Sequence, residues 1–257
     1  KIEYIFKDNK LYKRNSARFF MWKGKKVSVV FSTYNEKDSI KEFIEGLFST
    51  GYVDEVIAID NNAVKGTKEE ILKTKAKYFL EQKQGFGWGY RRALYESTGD
   101  LIIMSEPDST FDPNDVVKFL AYSDNFPVVF GTRTTSIMVG KGANMGWFLK
   151  WGNFGVAKFI EFIFGTNFLS DVGCSYRLIN RKAYEKIRYK FSITGMEFNP
   201  DMMLQVIRNN IPFIEIPVRY LKRVGISAAT GNFKRTCRIG IKMIFLIIKH
   251  RIGWIRK

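Results

Sequence analysis

The sequence has little histidine or cysteine. Its one histidine, His250, lies in a basic C-terminal stretch, and its two cysteines are Cys174 and Cys237. Two thiols cannot frame a disulfide-stapled fold, and a single imidazole leaves no His/Cys zinc site. A Ser-His-Asp triad has no well-placed histidine either. Chemistry therefore falls to carboxylates, hydroxyls, Lys/Arg and a bound metal. Acidic residues are missing beyond Glu215. Residues 216–257 hold eleven Lys/Arg and no Asp or Glu, a large share of the net +17. An acid-free, basic end with aromatic residues points to an anionic partner: a membrane surface, nucleic acid or a phosphorylated substrate. No run reaches the roughly 20 apolar residues that cross a bilayer. The nearest, Ile239–Ile248, is interrupted by Lys242 and suits a helix lying at a membrane surface. No Walker A motif and no dinucleotide-binding glycine pattern occur.

With 46% hydrophobic residues over 257 positions, the chain has material for a sizeable core. Val27–Ser32 is a β-branched run that predicts a buried strand. Asp38–Phe48 carries Ile40, Phe43, Ile44 and Leu47 at helical spacing. The pattern predicts further strands at Glu55–Asp60, Tyr78–Glu81, Leu101–Met104 and Pro127–Gly131. It predicts helices at Gly66–Lys73, Gly89–Ser97 and Pro113–Ala121. This alternation argues for an α/β fold with a mostly parallel central sheet flanked by helices. Beyond Gly131 a loop-like stretch precedes long helices at Trp147–Phe164 and Asn199–Arg208, an edge strand at Phe213–Val218 with Pro217, and a basic apolar helix at Phe233–His250. The organisation reads as an N-terminal extension (1–25), one domain (26–232) and a C-terminal helix (233–257).

Ligands of open parallel sheets bind beyond the carboxyl ends of the strands. Four predicted strands end in polar groups: Ser32–Glu36, Asp60–Asn62, Ser105–Asp108 and Gly131–Arg133. Their convergence predicts a crevice, although a single residue such as Asp38 or Asp112 reads better as a helix cap. Glu106-Pro107-Asp108 places two carboxylates on a turn after a buried strand. Oxygen ligands without imidazole or thiolate suit Mg²⁺ or Mn²⁺, which would neutralise a diphosphate. Gln84–Arg91 has glycines at 85, 87 and 89, and reads as a loop that lets backbone approach a ligand at a helix N-terminus.

Taken in order, the motifs resemble family 2 glycosyltransferases of the GT-A, Rossmann-like fold, close to dolichyl- and polyprenyl-phosphate sugar synthases. They are S-T-Y-N-E at 32–36, I-A-I-D-N-N at 57–62, K-G-T at 65–67, G-F-G-W-G-Y-R-R-A-L at 85–94, T-G-D at 98–100, E-P-D at 106–108, F-G-T-R at 130–133, S-D-V-G-C-S-Y-R at 170–177, G-M-E-F at 195–198 and R-V-G-I-S at 223–227. The resemblance covers about residues 26–232. It implies that Thr33, Tyr34, Glu36 and Asp60 hold nucleobase and ribose, and that Gly87 and Arg91 line the nucleotide pocket. It implies Asp108 as metal ligand, with Glu106 on ribose or metal, and Arg177 and Arg223 facing phosphates. Arg133, Lys150 and Ser227 are the expected acceptor-phosphate residues.

The sequence departs from the family's usual pattern in three places. Asp60-Asn61 stands for Asp-Asp, Glu106-Pro107-Asp108 for Asp-x-Asp, and Thr110 for a frequent Gln. The Arg and Ser that precede the long helix in the best-known synthases are unmatched, and Lys150 is the nearest cation. The implied reaction is inverting transfer from a UDP- or GDP-sugar to a polyprenyl phosphate. A phosphate monoester is already an anionic nucleophile at neutral pH, so no histidine base is needed. The expected partners are the nucleotide sugar, the lipid phosphate and an anionic membrane surface, with the protein on the cytoplasmic face, peripheral or anchored through its C-terminal region. A sugar-hydroxyl acceptor would instead call on Glu197 or Asp201 as base. A nucleic-acid-binding protein would leave the acidic strand ends unexplained. A sugar nucleotidyltransferase would need a glycine-rich basic loop where Ser32–Glu36 stands. Processive polysaccharide synthases carry a Gln-x-x-Arg-Trp signature that is absent.

Overall fold

The computed structural model describes residues 4–7, 10–13, 21–143, 146–225 and 233–253. Two strands, β1 (Tyr4–Lys7) and β2 (Lys10–Lys13), pair antiparallel in a small sheet of their own. Next come β3 (Val27–Thr33), α1 (Lys37–Ser49), β4 (Glu55–Asp60), α2 (Thr67–Leu72), β5 (Lys77–Leu80), α3 (Phe86–Glu96) and β6 (Leu101–Met104). A 3₁₀ turn at Pro113–Asp115, capped by the Asp112 side chain as expected, leads into α4 (Val116–Tyr122) and β7 (Val128–Thr132), whereas Asp38, also expected to cap, lies inside the first turn of α1 behind Glu36. The rest is α5 (Trp147–Phe164), β8 (Arg177–Asn180), α6 (Arg181–Ile187), α7 (Phe198–Arg208), β9 (Phe213–Pro217) and α8 (Phe233–Arg251).

Seven strands form the central sheet in the order β5-β4-β3-β6-β8-β7-β9. Four pairings are parallel, and β8 runs antiparallel to both its neighbours. The sheet is mixed α/β and mostly parallel, as the alternating pattern predicts. Strand β8 is the addition that pattern does not contain. Because it is reversed, its N-terminal end lies between the carboxyl ends of β6 and β7, and residues 173–176 join the ligand edge. Pro217 sits in the outermost strand, where its missing N–H breaks no ladder.

Side-chain alternation along the strands builds two apolar layers. In β3, Val27, Val29 and Phe31 join the layer with Ile40 and Ile44 of α1 and Phe119 of α4. Val30 joins the opposite layer with Tyr90 of α3, Ile160 of α5 and Met202 of α7. That second layer also contains Leu246 and Ile247 of α8. The basic helix set apart as a C-terminal extension thus has one face in the core. Its Ile241, Phe245 and Ile248 remain exposed.

The glycine-rich stretch is helical and not the ligand-approaching loop its sequence predicts. Helix α3 starts at Phe86, three residues earlier than predicted, so Gly87 and Gly89 are helical. A Cβ at Gly89 would stand 2.0 Å from Ser32 Oγ, and one at Gly87 would stand 2.6 Å from the Ile193 carbonyl oxygen. These glycines let α3 press against β3 and against the 193–195 segment. The helix-start amides are also engaged: Gly85 N donates to Asn61 Oδ1 at 2.8 Å and Gly87 N to Thr194 O at 2.9 Å.

Candidate active site

The site is built on the turn that follows β6. Both faces of β6 are buried, and the Tyr90 hydroxyl donates to Ser105 O at 2.6 Å, fixing the exit of the strand. Ser39 Oγ on α1 holds Pro107 O at 2.6 Å. Ser109 adopts a left-handed φ of 64°, which folds the chain back so that Thr110 donates to Asp108 Oδ1 through its N (2.9 Å) and its Oγ1 (2.5 Å). The second Asp108 oxygen, Oδ2, is buried and forms an ion pair with Arg223 Nη2.

Glu106 lies beside it. Ser175 Oγ donates to Glu106 Oε1 at 2.5 Å and Arg223 Nη2 to Oε2 at 3.1 Å. Burial, then the nearby Asp108 charge, pushes the Glu106 carboxyl up to about 7. Glu36, at the start of α1, accepts from Tyr34 N (2.6 Å) and Asn35 N (2.9 Å), and its Oε1 is 4.0 Å from Arg223 Nη1. Burial raises its pKa against those two backbone bonds. Arg223 thus stands among three carboxylates. Burial opposes its charge, but Asp108, Glu106 and Glu36 together outweigh that and raise its pKa.

A second arginine is held differently. Arg133, just after β7, donates from Nε and Nη2 to Asp171 at 2.8 and 2.9 Å, a bidentate fork, and its guanidinium lies 5.2 Å from the centre of the Tyr220 ring. Burial raises the Asp171 pKa, but Arg133 overrides it and the carboxylate titrates below its ordinary value. Both arginines border one cavity of about 950 Å³. Its polar end is lined by Ser32, Thr33, Tyr34, Glu36, Glu106 and Arg223. The other end is apolar, with Leu149 and Val156 of α5 facing Ile241, Met243 and Ile244 of α8.

The expected residues sort against this geometry. Thr33, Tyr34, Glu36, Glu106, Arg133 and Arg223 line the cavity, with Asp108 directly behind Arg223. Arg177 does not face phosphates. It is fully buried, and its guanidinium donates to Cys174 O, Asn199 O and Val172 O at 2.6, 2.5 and 2.9 Å. Burial lowers its pKa to about 10. Arg177 ties the 172–174 loop to α7. Gly87 is a packing glycine, and Arg91 lies against the Trp88 ring, 4.9 Å from its centre; neither borders the cavity. Asp60 is also off the lining, receiving Ala63 N (2.8 Å) and the Tyr78 hydroxyl (3.0 Å). Lys150 donates to Ser136 Oγ at 2.7 Å and does not line the cavity. Helix α8 engages both candidate bases. Lys242 pairs with Glu197 at 3.4 Å, and His250 Nε2 meets Asp201 Oδ1 at 3.0 Å. Ser227 lies outside the described residues.

Two contributors escape sequence reading, Ser175 on Glu106 and Asp171 on Arg133, while Asn61, named at the end of its strand, lines the cavity and holds Glu81 O and Lys83 O. The S-D-V-G-C-S-Y-R segment was visible as a motif, but only the reversed β8 brings it to the cleft.

Among the described residues, no group of three His, Cys, Asp or Glu side chains is placed to hold a metal. The donor set still fits a hard divalent cation that brings further ligands with it. Glu106 and Asp108 offer carboxylate oxygens, and Asp108 Oδ2 is buried with an ion-pair partner only.

A mostly parallel sheet gathers carboxylates and arginines at its carboxyl edge, beside one cavity. Residues 28–188 match the model of glycosyl transferase family 2, and the chain belongs to that family. It is 27% identical over 205 residues to a low-salt glycan biosynthesis hexosyltransferase of Haloferax volcanii, matching 77% of this chain but 48% of that protein, about half its length. It is 24% identical to the dolichyl-phosphate hexose transferase of the same organism, over 88% of this chain and 96% of the relative. A UDP-N-acetylglucosamine–dolichyl-phosphate N-acetylglucosaminyltransferase of Methanococcus voltae is 22% identical over 89% of this chain and 97% of its own. Among solved structures, glucosyl-3-phosphoglycerate synthase of Mycobacterium tuberculosis with Mn²⁺, UDP and glucosyl-3-phosphoglycerate superposes with a TM-score of 0.70, at 14% identity, over 90% of this chain and 81% of that one. The same enzyme has been crystallised with Mg²⁺ and UDP. At that identity the likeness establishes the shared fold.

Proposed function

We propose that this glycosyltransferase moves a sugar, with inversion, from a nucleoside diphosphate sugar to a polyprenyl phosphate. The observation that carries this reading is one cavity with two kinds of lining. Carboxylates and arginines stand at one end, and an apolar groove between α5 and α8 opens at the other. A lipid phosphate needs both: a cationic point for its head and an apolar channel for the first isoprene units. Two relatives whose names specify dolichyl phosphate support it.

Each side chain then has a task. Tyr34 and Thr33 face the base and ribose at the carboxyl end of β3. Glu106 and Asp108 would hold Mg²⁺ or Mn²⁺, which when bound supplies the positive charge that neutralises the departing diphosphate. Arg223 faces that diphosphate. Arg133, locked by Asp171, keeps its charge aimed at the acceptor phosphate. The nucleophile is an already ionised phosphate oxygen, and in-line attack from the side opposite the diphosphate inverts the anomeric carbon. Glu197 and Asp201 are occupied by α8, which disfavours a sugar-hydroxyl acceptor that would need one of them as base.

The outer faces of α5 and α8 expose Trp147, Trp151, Phe162, Ile241, Phe245 and Ile248, with Arg238, Lys249 and Arg251 nearby in sequence. Among the described residues no helix is long and apolar enough to cross a membrane. We assign this face to the surface of an anionic membrane from which the acceptor is drawn.

The test is a donor screen with UDP- and GDP-sugars, Mn²⁺ and a short polyprenyl phosphate, run in parallel with free sugars as acceptors. Glycosylated lipid phosphate from one donor is the expected product. Faster transfer to a free sugar, or no lipid product with any donor, overturns the assignment.

A further inference from the structure

Arg223 raises a question that the cleft itself answers. Its Nη2 binds Glu106 Oε2 at 3.1 Å and also pairs with Asp108 Oδ2, and its Nη1 is 4.0 Å from Glu36 Oε1. The remaining Asp108 oxygen is saturated by Thr110, and the remaining Glu106 oxygen accepts from Ser175. The oxygens with which the two carboxylates would grasp a cation are therefore the ones the guanidinium already holds. A second cation at those oxygens binds against the charge of the guanidinium. Coulomb repulsion at such separations in a partly buried site is several times its value in water.

The backbone around Arg223 is pinned. Leu221 N donates to Thr110 O at 2.8 Å and Val224 N to Asp108 O at 3.0 Å, so the segment is anchored on both sides of Arg223 to the acidic turn. Release of the carboxylates is then a rotation of a long side chain and not a movement of the loop. A guanidinium leaving two carboxylates needs another anion within reach, since a buried unpaired charge is costly. A diphosphate bound to a cation at the same two carboxylates supplies one, with a geometry a guanidinium matches well.

We infer that Arg223 and the divalent cation compete for Glu106 and Asp108, so that the cation binds weakly alone and tightly only with a nucleoside diphosphate that takes over the guanidinium. Arg223 is thus the built-in counter-ion of the acidic turn, and its exchange makes metal and donor enter as a unit. This rests on the reading of the cleft as a donor-diphosphate site, and the metal-alone arm below is independent of that reading.

The experiment measures Mn²⁺ binding by electron paramagnetic resonance of the free ion, in wild type, Arg223→Gln and Arg223→Gln/Asp108→Asn, without nucleotide. Arg223→Gln is expected to bind Mn²⁺ at least about tenfold more tightly than wild type, within the usual range of coupling between sites. Adding the Asp108→Asn change should abolish that gain. Equal or weaker binding by Arg223→Gln overturns competition. A variant-free readout guards against misfolding. Peptide mass mapping of wild type should show faster phenylglyoxal modification at Arg223 when Mn²⁺ alone is raised to saturation. Unchanged or slower modification counts against the inference. Calorimetry of UDP and GDP with wild type and Mn²⁺ separates the two readings. If neither nucleotide binds, the donor site is wrong whatever the metal-alone arm reports.

Discussion

Asp108 divides its oxygens between two tasks: Oδ1 is fixed by Thr110, and Oδ2 pairs with Arg223. Asn at this position keeps the Thr110 bonds and loses the charge. Asp108→Asn is expected to fold normally by circular dichroism while turnover falls at least about 100-fold, the scale of losing one charge-stabilising group in an active site. A variant retaining most activity would remove Asp108 from the metal role. Glu215 shows a different use of a buried carboxyl. It receives Ser170 Oγ at 2.5 Å and Asp171 N at 3.1 Å, yet burial pushes its pKa from 4.5 up to about 7. Because the folded value is raised, its contribution to stability is complete below about pH 4.5 and is lost as pH climbs through 7. Thermal or urea unfolding should show wild type losing up to about 3 kcal/mol relative to Glu215→Gln between pH 5 and pH 8. A pH-independent difference between the two proteins would show that Glu215 stays ionised throughout.

Among the elements, α3 and α8 carry the sharpest consequences. Gly89 sits where a methyl group would collide with Ser32 Oγ at 2.0 Å. Gly89→Ala should lower stability by about 1–3 kcal/mol through overpacking, and Ser32→Gly in the same chain should restore part of it. A double variant no better than Gly89→Ala would place the strain elsewhere. At the other helix, Arg208 Nη1 lies 3.2 Å from His250 Nδ1. A guanidinium only donates, so Nδ1 accepts, and the Nε2 proton goes to Asp201. His250→Ala strands that buried carboxylate. A loss of about 2–4 kcal/mol and faster hydrogen exchange along α8 are expected. Unchanged exchange would mean that Leu246 and Ile247 alone secure the helix. The limits of sequence reading fall on these elements. The β-branched runs of β3 and β4 and the apolar spacing of α1 are local signals, and α5 and β6 stand where the pattern places them. Strand β8 is four residues long and opens with a buried arginine, which is tolerable because three carbonyls receive it, two of them on the loop just upstream and one on α7. The glycines of α3 resemble a ligand loop until the neighbouring strand is in place. The acidic turn was legible by its position after a strand, whereas Ser175, Asp171 and the burial of His250 depend on contacts between segments far apart in the chain.

For the molecule as a whole, charge and apolar surface are placed together. The acid-free final segment contributes one face of α8 to the core and leaves Ile241, Phe245 and Ile248 exposed beside α5. Wild-type protein should co-sediment with anionic vesicles and be released by salt. Replacing Ile241, Phe245 and Ile248 together with Ser should reduce the bound fraction at least about fivefold, since each side chain contributes about 1.5–3 kcal/mol when buried in an apolar phase. Undiminished binding by the triple variant would move the membrane face elsewhere.

The place of β8 in the sheet has a consequence for biosynthesis. Strand β7 is made before both of its neighbours, since β8 begins at residue 177 and β9 at residue 213. During translation the ribosome therefore releases a parallel block of β3 to β6, then a strand with no partner, then the apolar α5 with nothing yet beneath it. Until the Arg177 segment emerges, one edge of β6, both edges of β7 and a greasy helix face solvent together, the condition in which nascent chains mispair and recruit chaperones. Strand β8 joins the two halves of the sheet, and the cleft is completed only when β9, Arg223 and α8 follow it.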